Sequence, residues 1–297
     1  QNIFYMYRLV KEKIYKFLKC YFPKFFQIIF LILNKVDSDE LEILVKDMKF
    51  SGWGLTSTRS PPWIGISKNK TYLGFKIIKD ELLKKIESDK FYLSQFYNSP
   101  GVQDPIKYLN EMDYRHYVVY YSALLAFENT QSRNIVECGV CDGLTVFFAM
   151  NKYKEDIKFK AYLYDSWDEM LEKDLTIKEN IKTGGDYNYL NIDTTKKNLV
   201  DFENYTIFNK GYIPEIFRSA KNPENLSWLH IDLNSSLPTK ESLEFFYPKI
   251  EKNGIILFDD YSQDGYEETR EVVENFFVNK NIVFLHLMTG QAMIIKK

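Results

Sequence analysis

The stretches Leu229-His230-Ile231-Asp232-Leu233-Asn234 and Ile255-Ile256-Leu257-Phe258-Asp259-Asp260-Tyr261 each run apolar and then end abruptly in acid. Short apolar runs of this kind suit strands buried on both faces, as in a parallel sheet. In open α/β sheets, ligands gather at the carboxyl ends of the strands. Asp232, Asp259 and Asp260, brought to one sheet edge, would repel one another, and a bound divalent cation relieves that repulsion. The two stretches therefore point to an α/β sheet with a metal site at its edge.

Working outward, similar runs lie at 135–138, 161–164, 205–208, 282–287 and 292–295. Helical patterns at 144–153, 193–202, 239–250 and 266–278 fall between most of them. Strands alternating with helices predict βαβ units and a parallel sheet. Only Met288-Thr289-Gly290-Gln291 separates the last two runs, so they form a hairpin and one of them runs antiparallel. Seven strands ending in such a hairpin match the Rossmann-like class I methyltransferase arrangement. Upstream, 1–35, 37–49, 80–96 and 114–129 read as helical, and 50–63, rich in Gly, Pro, Ser, Thr and Trp, reads as a loop. The chain divides into an N-terminal region, 1–109, with a helical arm and this Trp/Pro loop, and an α/β domain, 110–297.

Net charge is −2 over 297 residues, so no global basic field argues for nucleic acid. Three cysteines are too few and odd in number for a disulfide framework and suit a reducing, cytoplasmic setting. Cys138 and Cys141 form a Cys-x-x-Cys, but Gly139 and Gly143 interleave with it and better explain the turn. Residues 1–35 carry seven Lys or Arg against one Glu. Their most apolar piece, 25–33, falls well short of the ~20 residues that span a bilayer. Two readings stay open for this arm: an amphipathic segment on a membrane surface, or a helix packed on its own domain or on a second copy of the chain. The latter is favoured.

The loop Glu137-Cys138-Gly139-Val140-Cys141-Asp142-Gly143 opens a helix. Glycines let the backbone turn sharply and let a ligand approach closely. No third glycine and no Gly-Lys-Ser/Thr is present, and Glu137 would repel a pyrophosphate. An acid there suits a cofactor with positive charge, such as the sulfonium and ammonium of S-adenosylmethionine. Asp165, with Ser166 beside it, ends the second strand about twenty residues on, where a carboxylate can hold the ribose hydroxyls of an adenosine cofactor. A turn or cap role is the alternative for Asp165.

Glu137-Cys-Gly-Val-Cys-Asp-Gly143, Leu229-His-Ile-Asp232, Asn253-Gly-Ile-Ile-Leu-Phe-Asp-Asp-Tyr261 and Gly290-Gln291-Ala292 together resemble the macrocin O-methyltransferase family over residues 110–297. The resemblance implies a Mg²⁺-assisted, S-adenosylmethionine-dependent transfer to a sugar hydroxyl on a glycan or secondary metabolite. It implies cofactor contacts at Glu137, Gly139, Gly143, Asp165 and Ser166, and metal ligands Asp232, Asp259 and Asp260. One departure matters. Where the family carries a second Asp resembling a general base, this chain has Asn234, and an amide takes no proton at neutral pH. Asn234 could orient a hydroxyl, and His230 is a base by its ordinary pKa. Strand alternation sets His230 on the face of Asp232 but below the edge, where a buried structural role is favoured. Tyr261, Tyr266 and Gln291 are placed near the same edge. Transfer to a catechol, or a non-catalytic binding protein on a degenerate methyltransferase fold, are the alternatives.

Overall fold

The computed structural model describes residues 70–98, 104–154, 156, 158–263 and 265–297. The arm 1–35, the segment 37–49 and the Trp/Pro loop 50–63 lie outside the described residues. Seven strands form one sheet: β1 (Asn134–Cys138), β2 (Lys160–Asp165), β3 (Thr206–Lys210), β4 (Leu226–Ile231), β5 (Ile250–Phe258), β6 (Ile282–His286) and β7 (Ala292–Lys296). Their order is β3-β2-β1-β4-β5-β7-β6. β1 to β5 pair in parallel, and β7 runs antiparallel to both β5 and β6. The predicted Rossmann-like sheet and its reversed hairpin strand are both present.

Strand alternation divides the core into two layers. Ile135, Trp228, Ile255 and Leu257 face one side, and Val136, Leu229, Ile231, Ile256 and Phe258 face the other. The first side is covered by α1 (Lys70–Glu87), α2 (Asp113–Asn129) and α3 (Leu144–Tyr153). Phe75 and Leu82 of α1 are fully buried there, each contributing roughly 1.5–3 kcal/mol. The start of α2 is tied to α1 by the Lys79–Asp113 ion pair and by Tyr72 Oη, which donates to Asp113 Oδ2 at 3.1 Å. Between β2 and β3 run α4 (Ile177–Thr183) and α5 (Ile192–Asn198), and α6 (Ser236–Phe246) and α7 (Glu267–Phe277) follow β4 and β5.

Boundaries differ from the sequence pattern in instructive places. The predicted helix 80–96 is instead α1, which ends at Glu87, followed by a turn through Asp89 (φ 57°) and a short helical turn, Ser94–Asn98. β5 begins at Ile250 rather than 255, because its first residues, including exposed Lys252 and Asn253, carry no apolar signal. Helix 239–250 gives way to α6, a 3₁₀ turn at Tyr247–Lys249 and then β5.

The segment before the sheet shares the core of the α/β domain. Asn198 of α5 exchanges hydrogen bonds with the backbone of Tyr92, accepting from its N–H and donating to its carbonyl, both at 2.7 Å. Ser94 donates its N–H and hydroxyl to the two carboxylate oxygens of Asp142, at 2.6 and 2.8 Å. Residues assigned from sequence to the N-terminal region thus reach the glycine loop directly.

Candidate active site

The carboxyl ends of β1, β2, β4 and β5 open onto one cleft. Among the predicted residues, Gly139, Asp165, Ser166, Asp232, Asn234 and Asp259 line it. Glu137, Gly143, His230 and Asp260 stand behind that wall.

On the β1–β2 side, the glycine loop is braced from below. Asp165 Oδ2 accepts from the N–H groups of Val140 and Cys141 at 2.7 and 2.8 Å, and Oδ1 accepts from Trp167 N–H at 2.6 Å. Burial raises the Asp165 pKa, and the three backbone donors oppose that rise. The Trp167 indole N–H in turn reaches Thr195 Oγ1 at 2.8 Å and the Cys141 carbonyl at 3.0 Å. The turn role expected as the alternative for Asp165 is therefore present, whatever else its remaining lone pairs bind. Gly143 has φ +85° and starts α3. Gly139 has φ +86°, and a Cβ there would lie 1.7 Å from the carbonyl oxygen of Asp232. Any side chain at 139 would thus collide with the end of β4.

On the β4–β5 side the residues are acidic and buried. Glu137 and His230 are register partners on neighbouring strands, and both are fully buried. The His230 Nδ1 lies 2.8 Å from Glu137 Oε1. His230 Nε2 has no hydrogen-bond partner, and Asp259 Oδ1 stands 3.9 Å from it. Asp259 also accepts from Gln291 Nε2 at 2.9 Å through Oδ1 and pairs with Arg115 through Oδ2. Asp260 hydrogen-bonds the Asp232 carboxyl, and its Oδ2 accepts the Asn234 N–H at 2.8 Å. Burial, followed by the charge of Asp260, pushes the Asp232 carboxyl well above its ordinary value. Burial likewise raises Asp260 and Glu137. Burial and the Arg115 charge push His230 down to about 3, so its ring is neutral.

Asn234, at φ 53°, joins two tyrosines. Its Oδ1 accepts from Tyr266 Oη, and its Nδ2 donates to Tyr187 Oη at 3.1 Å. The Lys182 Nζ stands 3.2 Å over the Tyr266 ring. Tyr261 leaves the site: it is fully buried and donates to Glu274 Oε1 at 2.7 Å. The other two histidines stack in the protein interior or at its edge, His116 on Phe148 and His286 on Phe284.

A divalent cation fits this donor set. His230, Asp232 and Asp259 each offer one ligand atom, all within 4.8 Å of one another. Arg115 supplies one positive charge against the carboxylates of Asp232, Asp259 and Asp260, and His230 Nε2 is left without a hydrogen-bond partner.

Sequence reasoning missed Arg115 and Tyr187. A signal existed for the first. Arg115, Val119, Ser122, Ala123 and Ala126 form one buried stripe of α2, and a charged residue on such a stripe is almost never buried without a partner. Tyr187 gave none, since it lies in the segment between α4 and α5 with no motif around it.

The fold and cleft define a class I methyltransferase fold. Residues 136–261 match the family described as a methyltransferase domain. Among solved structures, the O-methyltransferase NovP matches with a TM-score of 0.58 at 12% identity, covering 77% of this chain and 100% of that one. The calicheamicin methyltransferase CalS11 matches with a TM-score of 0.52 at 14% identity, covering 74% of this chain and 91% of its own. No curated protein sequence matches the chain. No helix among the described residues is long and apolar enough to cross a membrane.

Proposed function

We propose that the protein is an S-adenosylmethionine-dependent O-methyltransferase that acts on a sugar hydroxyl with the help of a divalent cation, Mg²⁺ by the macrocin O-methyltransferase resemblance. The observation that carries this reading is the meeting, in one cleft, of a glycine loop braced by Asp165 and an aspartate-rich strand edge. The likeness to NovP and CalS11 supports the methyltransferase fold, and the acceptor class rests on the motif resemblance.

In this reading the cofactor brings the methyl group, and the cation lowers the pKa of the acceptor hydroxyl. The chain positions both. Gly139 and Ser166 shape the cofactor side, with Asp165 holding the Val140, Cys141 and Trp167 amides and keeping one acceptor site for a ribose hydroxyl. Asp232, Asp259 and Asp260 form the acidic edge. Asn234 is pinned by Tyr187 and Tyr266, so its amide orients the acceptor without taking its proton. His230 is not carried forward as the base, because its ring is fully buried behind Asp259. Asp232 lines the cleft and is the proton acceptor we assign. Alignment of hydroxyl and methyl group then supplies much of the rate.

Residues 110–297 are proposed as the catalytic unit, with 70–109 contributing Leu93, Gln95 and Tyr108 to the cleft wall. The free thiols of Cys138 and Cys141 suit the cytoplasm, where we place the reaction. Self-association or membrane contact through residues 1–35 belongs to the same proposal.

Calorimetric titration of S-adenosylmethionine and then Mg²⁺ into wild type and Asp260→Asn tests the reading, followed by turnover on vicinal-diol sugars and on catechols. Cofactor binding with cation-dependent methylation of a sugar supports it. Turnover on catechols alone moves the acceptor to a vicinal phenol. Cofactor binding without turnover on any acceptor supports a binding protein on this fold.

A further inference from the structure

We propose that the cation of this site is held through nitrogen as well as oxygen, by His230 Nε2 with Asp232 and Asp259, and that the site therefore takes a first-row transition ion such as Mn²⁺ in preference to Mg²⁺. The proposal rests on the reading above only in taking a divalent cation to work at this edge.

Three observations carry it. The ligand atoms that come together are those of His230, Asp232 and Asp259, within 4.8 Å of one another, and Asp260 is not in that group. The carboxylate of Asp260 stands behind this set, hydrogen-bonded to Asp232 and accepting the Asn234 N–H at 2.8 Å. Second, His230 is fully buried, and its Nε2 has no hydrogen-bond partner. A buried imidazole nitrogen without a partner costs free energy in a finished core, and this one faces Asp259 Oδ1 at 3.9 Å. Third, the other ring nitrogen is already held. Nδ1 lies 2.8 Å from Glu137 Oε1, so the tautomer that donates from Nδ1 presents a lone pair at Nε2. Metal-bound histidines commonly donate their second nitrogen to a carboxylate in this way, which fixes the ring and raises its basicity.

Arg115 pairs with Oδ2 of Asp259, the oxygen opposite the one that faces His230. Gln291 donates to Oδ1 at 2.9 Å and leaves that oxygen a second lone pair. The face of the sheet explains the assembly. Glu137, His230, Asp232, Leu257 and Asp259 alternate onto the side covered by α2, so histidine and two aspartates stack along one face toward the edge. Oxygen-only sites suit Mg²⁺, whereas an imidazole ligand shifts preference toward transition ions.

The test is pulsed electron paramagnetic resonance on the full chain loaded with Mn²⁺, read for nitrogen hyperfine coupling, together with Mn²⁺ and Mg²⁺ titrations. Wild type is expected to show coupling to one nitrogen and to bind Mn²⁺ at least about 10-fold more tightly than Mg²⁺. His230→Gln should lose the coupling and most of the preference, and His116→Gln should keep both. Glu137→Gln should weaken Mn²⁺ binding by about 10–100-fold. The chain holds three histidines, so the wild-type and His116→Gln spectra remain informative even if His230→Gln fails to fold. Mn²⁺ bound without nitrogen coupling, and lost in Asp260→Asn, would overturn this proposal and leave the three-aspartate site standing. No binding of either ion would overturn both cation assignments, while S-adenosylmethionine titration judges the methyltransferase reading separately.

Discussion

At the β1–β2 edge of the cleft, Asp165 spends both carboxylate oxygens on three backbone N–H groups, and Trp167, Thr195 and Cys141 close a ring of hydrogen bonds behind it. At the β4–β5 edge, a few residues away across the sheet, His230 Nε2 and Glu137 Oε2 are buried without a hydrogen-bond partner. Several carboxyls there are raised by burial and by one another. A satisfied network holds a loop in one shape. An unsatisfied one stores an electrostatic demand that a ligand can meet. The first edge is thus built to be a rigid cradle and the second to receive charge, which is the division of labour a group-transfer site needs.

The two edges meet at Gly139, and the largest effect is expected there. Gly139→Ala places a methyl group on the Asp232 carbonyl and asks a non-glycine residue to hold φ +86°. Left-handed strain and overpacking together cost about 3–5 kcal/mol. The expected outcome is loss of soluble protein, or a large fall in the urea midpoint with loss of cofactor binding. A variant that folds and binds normally would show that the edges are not coupled through this contact.

Removing charge from the acidic edge should cost slightly less. Asp259→Ala leaves the Arg115 guanidinium buried without its carboxylate and takes the acceptor from Gln291. Breaking a buried pair from one side costs about 3–5 kcal/mol, and relaxation of Arg115 toward Asp232 or Asp260 should hold the loss near the lower bound. The double variant Arg115→Met, Asp259→Ala should recover part of the loss, and denaturation midpoints of the three proteins check it. On the braced edge, Asp165→Ala strands the N–H groups of Val140, Cys141 and Trp167. A loss of about 2–3 kcal/mol is expected, since the cleft admits water to part of the loop. Cofactor affinity should drop by at least about 10-fold, measured by calorimetry, because the loop loses its shape. Equal affinity in this variant would mean that the loop is preformed without Asp165.

The difference between the edges also explains what the chain made legible. Alternating apolar runs and helical stretches were enough for the sheet, its reversed strand and the acids at its edge, because buried parallel strands have a composition that loops lack. The acids Asp232 and Asp259 could be placed together since each ends an apolar run. Their partners could not. Arg115 comes from a helix on the covering layer, and Tyr187, which meets Asn234, from the connection between α4 and α5, and only the tertiary fold brings them in, whereas Gln291, expected near this edge, donates to Asp259. Asp260 illustrates the limit at finer scale. It follows Asp259 directly, yet its carboxyl meets Asp232 and the Asn234 amide and lies outside the mutual group of His230, Asp232 and Asp259.

The smallest effect separates the cradle from its support. Burial pushes the Asp142 carboxyl up from 3.8 to about 6, against the Ser94 hydrogen bonds that lower it. In the unfolded chain this group titrates near 4. Between about pH 4 and 6 the folded protein therefore holds a proton that the unfolded chain has released. More protons bound in the folded state means that stability falls as pH rises through that window. The full shift corresponds to an upper bound of about 3 kcal/mol, and relaxation around the ionised carboxylate should reduce it to about 1–2 kcal/mol. Asp142→Asn removes the titration but keeps a carbonyl oxygen for one Ser94 donor, so its urea midpoint relative to wild type should rise by that amount from pH 4 to 7. A constant difference across the range would mean that Asp142 is ionised in the fold throughout, held down by its Ser94 hydrogen bonds.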